Sequence, residues 1–335
     1  MLDADCATAA APVQVGPVQV GAEQPRYLTD YSPQDKPWDT HRSQTQTVEG
    51  VYRGTIYDGL AGRLRDCSGF LGFAWVDDAD TGGLRLSLRT ARFCRVRHCP
   101  VCQWRRSLMW QARFLQALPG IEAAYPKSHW LFLTLTLRNC EISNLRQTLR
   151  HMNEAWGRLV KRPEFAGNVQ GWIRATEVTR GRDDSAHPHF HCLLMVKPSY
   201  FGKGYVTQPR WAELWQECTR VNYRPIVDIR AVKARRGAPG EKPLRRALAE
   251  TLKYAVKPSD MHGEWLLELT RQVHKLRFLA SGGVLRNMLR EFEESEQDLL
   301  LTGEDGDGGD PVLIFSWRRE IRRYVERQFP TEIRR

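Results

Sequence analysis

The run His187-Pro188-His189-Phe190-His191-Cys192-Leu193-Leu194-Met195-Val196 constrains the fold of this chain more than any other segment. Its apolar half predicts a buried strand. Successive strand side chains alternate between faces, so His189 and His191 project together and Phe190 projects the other way. Two imidazoles on one face of a rigid strand can chelate a divalent cation. Neutral imidazole suits transition metals, and an added carboxylate extends the choice to Mg²⁺ or Mn²⁺. A strand whose histidines are merely hydrogen-bonded is the alternative. Three alternating histidines among the nine in the chain weigh against it.

The stretches around this strand set the predicted order of elements. Residues 130–137 (Trp-Leu-Phe-Leu-Thr-Leu-Thr-Leu) predict a central strand, and Leu145, Leu149, Met152, Trp156 and Leu159 have helical spacing over 142–160. A strand over 171–179, a turn over 180–185 and the histidine strand follow. Next come a helix over 209–220, with Trp211, Leu214 and Trp215 on its apolar side, and a strand over 226–232. The resulting order, βαββαβ, is that of a split βαβ, ferredoxin-like sheet in an α+β protein, with an extra helix over 244–257. Upstream, strands at 70–76 and 84–88 are joined by Asp80-Thr81-Gly82-Gly83, and a helix over 101–118 closes at Pro119-Gly120. Residues 1–48 lack sustained periodicity and predict a disordered tail. Residues 49–128 predict a separate N-terminal element, 129–260 the domain built on this sheet, and 261–335 a helical C-terminal extension. Within that extension, 263–294 reads as helical with a break at Gly282-Gly283, and 302–310 as an acidic linker lacking the 12-residue calcium-loop pattern. Residues 317–335 predict a basic amphipathic helix, either DNA-binding or a solvated face.

The chain has 335 residues, 41% of them hydrophobic, which is enough for a sizeable core. Its net charge of +11 favours a polyanionic partner, nucleic acid first. Asp3 and Asp5 stand where a signal peptide would carry basic residues, and no apolar run is long enough to span a bilayer. A cytoplasmic protein with no membrane partner is expected. In a reducing compartment the eight cysteines point to metal ligation or packing, not disulfides.

Three further constellations carry chemistry. If the turn centres near Asp183, antiparallel pairing sets Glu177 across from His189, where its carboxylate can serve as a third ligand; a surface Glu–His pair is the alternative. On a helix continuing to Lys257, Glu250, Tyr254 and Lys257 share one face. A phenol is a poor nucleophile unless a cation or metal stabilises the phenolate, a task open to Lys257, and Glu250 can act as a general base. An ordinary ion pair on an amphipathic helix is the alternative. Finally, Cys94, Cys99 and Cys102, with Cys67 upstream, can supply four thiolates to a closed structural Zn²⁺ site, with His98 as substitute should Cys67 not reach. Arg92, Arg95, Arg97, Arg105 and Arg106, interleaved with Trp104 and Trp110, can contact phosphates and bases. The basic stretch with Lys233, Arg235, Arg236, Arg245 and Arg246 can guide a strand to the tyrosine, or is simply solvated.

Together these residues resemble the rolling-circle replication initiators of small bacterial plasmids, the single-tyrosine (Rep_1) branch of the HUH endonuclease superfamily. Four stretches carry the resemblance: Phe132-Leu133-Thr134-Leu135-Thr136, the histidine segment with Glu177 before it, Lys253-Tyr254-Ala255-Val256-Lys257, and the cysteine-rich Cys99–Arg106. The resemblance implies that His189 and His191 bind Mg²⁺ or Mn²⁺, with Glu177 as third ligand and His187 in reserve. It also implies that Tyr254 nicks one DNA strand to form a 5′-phosphotyrosine link, and that Glu250 acts in termination. Origin DNA, double- and single-stranded, and a host helicase and polymerase would be the partners. An HUH transposase or mobilisation relaxase, and a non-catalytic zinc-stabilised DNA-binding protein, are the competing expectations.

Overall fold

The computed structural model describes residues 25–78, 81–233, 243–253, 256, 260–288, 297–300 and 310–327. In chain order, α1 (Leu28–Tyr31), α2 (Lys36–Tyr52) and α3 (Asp58–Asp66) precede the hairpin β1 (Phe70–Asp77) and β2 (Leu84–Ala91). The long helix α4 (Pro100–Ala124) leads into β3 (His129–Thr136), α5 (Leu145–Leu159) and α6 (Pro163–Ala166). The hairpin β4 (Val169–Arg180) and β5 (Ala186–Val196) follows, then α7 (Gln208–Thr219), β6 (Val227–Ala231) and α8 (Pro243–Thr251). The chain closes with α9 (Gly263–Gln272), β7 (Leu279–Gly283), α10 (Val284–Met288), β8 (Leu313–Arg318) and β9 (Arg323–Glu326). The protein is α+β, and every strand pairing in its sheets is antiparallel.

A five-stranded sheet of order β6-β3-β5-β4-β7 positions the histidines, with β5 in the middle. That place explains the apolar run: Cys192, Leu193, Leu194, Met195 and Val196 are all fully buried. Because side chains alternate, the two faces of the sheet pack against different partners. Phe190, Cys192 and Leu194 pack with Met152 and Trp156 of α5 and Trp211 and Trp215 of α7. Leu193, Met195 and Ile173 pack with Phe114 and Ile121 of α4 and Leu248 of α8. That second layer accounts for a departure from expectation. The helix expected to close at Pro119-Gly120 runs on to Ala124, because buried Ile121 holds its last turns on the sheet. Burying such a side chain contributes roughly 1.5–3 kcal/mol, enough to offset much of the proline penalty.

The ends of the chain correct two expectations. Residues 36–52, expected within a tail reaching residue 48, form helix with Trp38, Val48 and Tyr52 buried. Arg42, Thr45 and Glu49 of the same helix are buried too, which is why no apolar periodicity marked it. Glu49 receives Arg319 at 2.7 Å, Arg53 at 2.6 Å and Arg65 at 3.2 Å. The C-terminal extension, expected to be helical, is so at α9 and α10 but also contributes strands. Residues 279–283 join β4 at the edge of the large sheet, and 313–326 form β8 and β9 of a second sheet, β2-β1-β8-β9. Phe315 pairs with Leu71, and Tyr324 is fully buried, donating its hydroxyl to Ser68 O at 2.6 Å. The C-terminal strands β8 and β9 therefore complete one sheet with the β1–β2 hairpin.

A third correction concerns α8. It ends at Thr251, short of the expected Lys257, and Val256 forms a parallel bridge to Val178 of β4. Val256 is fully buried there. Its burial, roughly 1.5–3 kcal/mol, exceeds the few tenths of a kcal/mol per residue by which helix propensities differ. No described helix is long and apolar enough to cross a membrane.

Docking of β7 depends on Gly283, whose φ of +60° is left-handed and whose added Cβ would lie 2.2 Å from Gln170 O. Gly283→Ala should destabilise the protein by about 2–4 kcal/mol, combining backbone strain with displaced backbone. Gly120→Ala, within α4 and with open space around it, should be neutral or stabilising by about 0.5–1 kcal/mol. Denaturant unfolding of the two variants checks the contrast.

Candidate functional site

Pairing of β4 with β5 sets Glu177 opposite His189, and pairing of β3 with β5 sets Thr134 opposite His191. Glu177, His189 and His191 thereby reach one point on the α4/α8 side of the sheet. Glu177 Oε2 lies 2.9 Å from His189 Nε2 and 2.8 Å from His191 Nε2. All three residues are buried, at 3%, 8% and 6% exposure, so little water competes for these groups. The far nitrogens are held as well. His189 Nδ1–H donates to the backbone carbonyl of His187 at 3.3 Å, and His191 Nδ1 meets Thr134 Oγ1 at 3.3 Å. Phe132 stacks on the His191 ring with centroids 5.6 Å apart. A backbone carbonyl on the outer nitrogen is the usual support of a metal-ligating histidine, since it turns the lone pair of the inner nitrogen toward the ion. For His189 that tautomer points an Nε2 lone pair at a carboxylate oxygen. Only a proton or a cation between them removes the repulsion. Two imidazole nitrogens and one carboxylate oxygen, with ligand atoms within 4.8 Å of one another, fit a divalent cation.

Burial works to raise the Glu177 carboxyl, but hydrogen bonds from His189 and His191 and the charges of His189 and Lys253 outweigh it. The group is held well below the usual carboxylate range. Burial lowers the His191 imidazole, opposed by its bond to Glu177, so the neutral, ligating form is favoured.

His187 is half-buried on the same face, its ring 5.2 Å from that of His189. It stands outside the three-residue cluster and contributes its carbonyl. Glu250, at the end of α8, is brought to the site through Lys253: Lys253 Nζ lies 2.6 Å from Glu250 Oε1 and 3.3 Å from Glu177 Oε2. Burial lowers the Lys253 ammonium, but these two carboxylates outweigh it and raise its pKa. Tyr254 and Lys257 lie outside the described residues. The helix expected to carry Glu250, Tyr254 and Lys257 on one face stops at Thr251, before the last two.

The cysteines converge separately. Cys67 Sγ lies 3.5 Å from Cys99 Sγ and 3.6 Å from Cys102 Sγ, and Cys94 Sγ lies 3.6 Å from Cys102 Sγ. All four are buried and none is in a disulfide. A tetrahedral ion with bonds of about 2.3 Å requires sulfurs roughly 3.8 Å apart, close to these spacings and far from the ~2.05 Å of a disulfide. Backbone N–H groups point at the sulfurs: Arg95 N to Cys102 at 3.3 Å, Val96 N to Cys94 at 3.4 Å and Cys102 N to Cys99 at 3.5 Å. Burial raises the Cys99 thiol, but the bonds it accepts from Cys102, Cys67 and Cys94 outweigh that and hold it well below the usual range. Cys67 reaches the cluster, so His98 is not needed as substitute. His98 is buried beside it without hydrogen bonds, its pKa pushed down to about 3 by burial and by Arg97.

The expected DNA-contacting residues divide. Arg105 is only 2% exposed and donates to Leu299 O at 2.7 Å and Leu300 O at 2.6 Å, with its guanidinium near the rings of Trp38 and Trp104. It braces the interior and is not presented to a phosphate. Trp104, edge-on to Trp38, packs inward as well. Arg97 and Arg106 line a recess beside the site. Lys233 is exposed just beyond β6, toward the His129 end of β3 and away from the histidines. Arg235 and Arg236 lie outside the described residues. Sequence reasoning assigned no role to Thr134, Phe132 or Lys253. Period-two alternation on β3, once paired with β5, would have found the first two. Lys253 becomes visible only when α8 stops early.

A family model described as "Replication protein" matches residues 85–325. The "Protein rep" of Streptococcus pneumoniae serotype 2 (strain D39 / NCTC 7466) is 32% identical over 284 residues, covering 82% of this chain and 86% of that protein. The "Protein rep" of Lentilactobacillus hilgardii is 33% identical over 82% of this chain and 88% of its own length. That of Bacillus amyloliquefaciens is 33% identical over 84% of this chain and 88% of its own length. No solved structure matches. With most of the chain aligned to these proteins and covered by one family model, it belongs to the Rep_1 family of plasmid replication initiator proteins.

Proposed function

We propose that this initiator starts rolling-circle replication by nicking one strand of its origin through tyrosine transesterification. The reading rests on one observation: Glu177, His189 and His191 converge on a single buried point, and Lys253, the residue before Tyr254, touches the same carboxylate. Val256, two residues after Tyr254, bridges to Val178, the neighbour of Glu177. Lys253 and Val256, on either side of Tyr254 in the sequence, thus both contact this end of β4. The strand order of the central βαββαβ unit, fourth-first-third-second with β7 added at the edge, supports assigning it to the ferredoxin-like HUH endonuclease domain.

In this reading the Tyr254 phenol oxygen attacks the scissile phosphorus. A bond forms from phosphorus to that oxygen, and the bond from phosphorus to the 3′ oxygen breaks. The phenol loses its proton, and the leaving oxygen gains one to become the 3′-OH that primes synthesis. The ester energy is kept in the 5′-phosphotyrosine link. His189, His191 and Glu177 would hold a Mg²⁺ or Mn²⁺ ion, which when bound supplies positive charge against the phosphate in the transition state. Glu250, half exposed beside Lys253, would take a proton from water when the regenerated site is hydrolysed at termination. Cys67, Cys94, Cys99 and Cys102 would hold a structural Zn²⁺. Origin DNA is the substrate; a host helicase and polymerase would extend the primer.

Purified protein incubated in Mn²⁺ with tiled single-stranded oligonucleotides from its replicon should form a covalent adduct at one site, visible on denaturing gels. Tyr254→Phe should abolish it, and His191→Ala should slow it by at least ~100-fold, beyond the 10–100-fold typical of removing a residue that only supports a ligand. Adduct formation by Tyr254→Phe at the parental rate would contradict the reading, and a transposase would act instead on insertion-element ends.

Glu250→Ala should retain the first nick while releasing monomeric circles poorly in a replication assay. Normal circle release would remove Glu250 from the mechanism.

Zinc analysis of the purified protein should find one ion per chain, released by a thiol-specific mercurial. Cys99→Ser should lower both the zinc content and the thermal midpoint. Zinc content unaltered by Cys99→Ser would contradict the four-thiolate assignment.

A further inference from the structure

Between the first half of α4 and the β4–β7 edge of the large sheet lies a recess of about 800 Å³. Its lining carries six cationic side chains, Arg95, Arg97, Arg106, Lys253, Arg277 and Arg286, and among the described residues that line it none is acidic. Trp110 and Phe278 add aromatic surface, and the Arg97 guanidinium sits 4.9 Å from the Phe278 ring centroid. Lys253 joins this recess to the Glu177–His189–His191 cluster, since its ammonium lies 3.3 Å from Glu177.

Two features of the wall mark it as a place for a ligand. Gln103 is 7% exposed and donates Nε2 to Arg97 O at 2.8 Å, while its Oε1 has no partner. Buried acceptors without donors are rare in folded proteins. Arg95 holds φ at +55°, a left-handed conformation that non-glycine residues adopt at a cost, and its Nε and one terminal nitrogen are without partners. The strained backbone is tied to the cysteine cluster, because Arg95 N–H points at the Cys102 sulfur at 3.3 Å. The cluster thus presents an arginine to the recess.

We propose that this recess binds the unpaired DNA strand flanking the scissile phosphate, so that the cysteine-cluster element takes part in substrate recognition as well as in folding. The inference rests on the nicking reading above and extends it to the substrate. Phosphates meet Arg277 and Arg286, both exposed at the rim. An unstacked base enters beside Trp110 and Phe278, where base–aromatic stacking is tolerant of sequence. Gln103 Oε1 accepts from an exocyclic base amine, which supplies its missing donor. A recess of this volume falls in the range of roughly 300–1,000 Å³ that holds small organic groups. It admits a base from a single strand and excludes a duplex, whose bases are stacked and paired.

The test uses the full chain with Tyr254→Phe, which separates binding from cleavage. The probe is a fluorescein-labelled single-stranded oligonucleotide of mixed sequence, longer than the ~4–16 nucleotides such grooves span, alone or annealed to its complement. Adding Arg277→Ala and Arg286→Ala should weaken single-strand binding by about tenfold and make the log affinity–log salt slope shallower by roughly 1.4, about 0.7 for each phosphate left without its arginine. Duplex affinity should change by less than about twofold. Unaltered single-strand binding would overturn the inference, as would an equal loss on single strand and duplex, or competition by a mononucleotide as strong as that of the strand. Adduct formation with Tyr254 restored is measured separately. A double variant that binds as its parent, from a chain that still forms the adduct, defeats the recess alone. A chain that never forms the adduct defeats the nicking reading whatever the binding result.

Discussion

A carboxylate oxygen enclosed by two imidazole nitrogens, at 2.8 and 2.9 Å and almost without water, is the constraint on which the rest of this structure depends. Such an arrangement carries a high desolvation cost unless positive charge stands at its centre. The protein fixes each participant from behind. Backbone pairing sets the spacing of Glu177 and His189, the His187 carbonyl and Thr134 hold the outer nitrogens, and Phe132 covers the His191 ring. Placing the histidines on the middle strand of the sheet makes their geometry a property of the core, where packing tolerates little displacement.

Charged groups of both signs surround this point. Lys253 ties Glu250 to Glu177, so a second carboxylate is held near the cluster without joining it. The cysteine cluster contributes from the other side of the recess. Its knuckle directs backbone N–H groups at sulfur and, through Arg95, sets a cationic wall beside the sheet. The small sheet is completed by the C-terminal strands, and in turn the β8–β9 connection holds α2 through Arg319–Glu49 and β9 holds it through the bond from Tyr324 N to Asp39. α2 and the β8–β9 hairpin therefore support the body that carries the cysteines.

Several of these features are legible in the sequence alone. Alternation in the histidine strand and the length of the turn before it are enough to set Glu177 against His189. The cysteine spacing is enough to bring Cys94, Cys99 and Cys102 together, because short-range patterns are governed by local geometry. What failed depended on distant partners. Residues 317–335 space their arginines like an amphipathic helix, yet the described part of that stretch forms a hairpin, with Trp317 paired to Tyr324 and Arg318 to Arg323, on a strand docked against β1. Residues 36–52 bury Arg42 and Glu49, so an apolar stripe never marked the helix. The early end of α8 follows from burial of Val256 against β4, a contact that no window around Tyr254 contains. Arg105 looks like a phosphate ligand by composition and proves to be a brace for Leu299 and Leu300.

The central claim is that Glu177, His189 and His191 form a divalent-cation site. Pulsed electron paramagnetic resonance of the protein with stoichiometric Mn²⁺ tests it most directly. The account predicts ¹⁴N modulation from two imidazole nitrogens, halved in His191→Ala and abolished in the double variant with His189→Ala. A bound-Mn²⁺ spectrum without imidazole ¹⁴N coupling, or one unaffected by those substitutions, would contradict it.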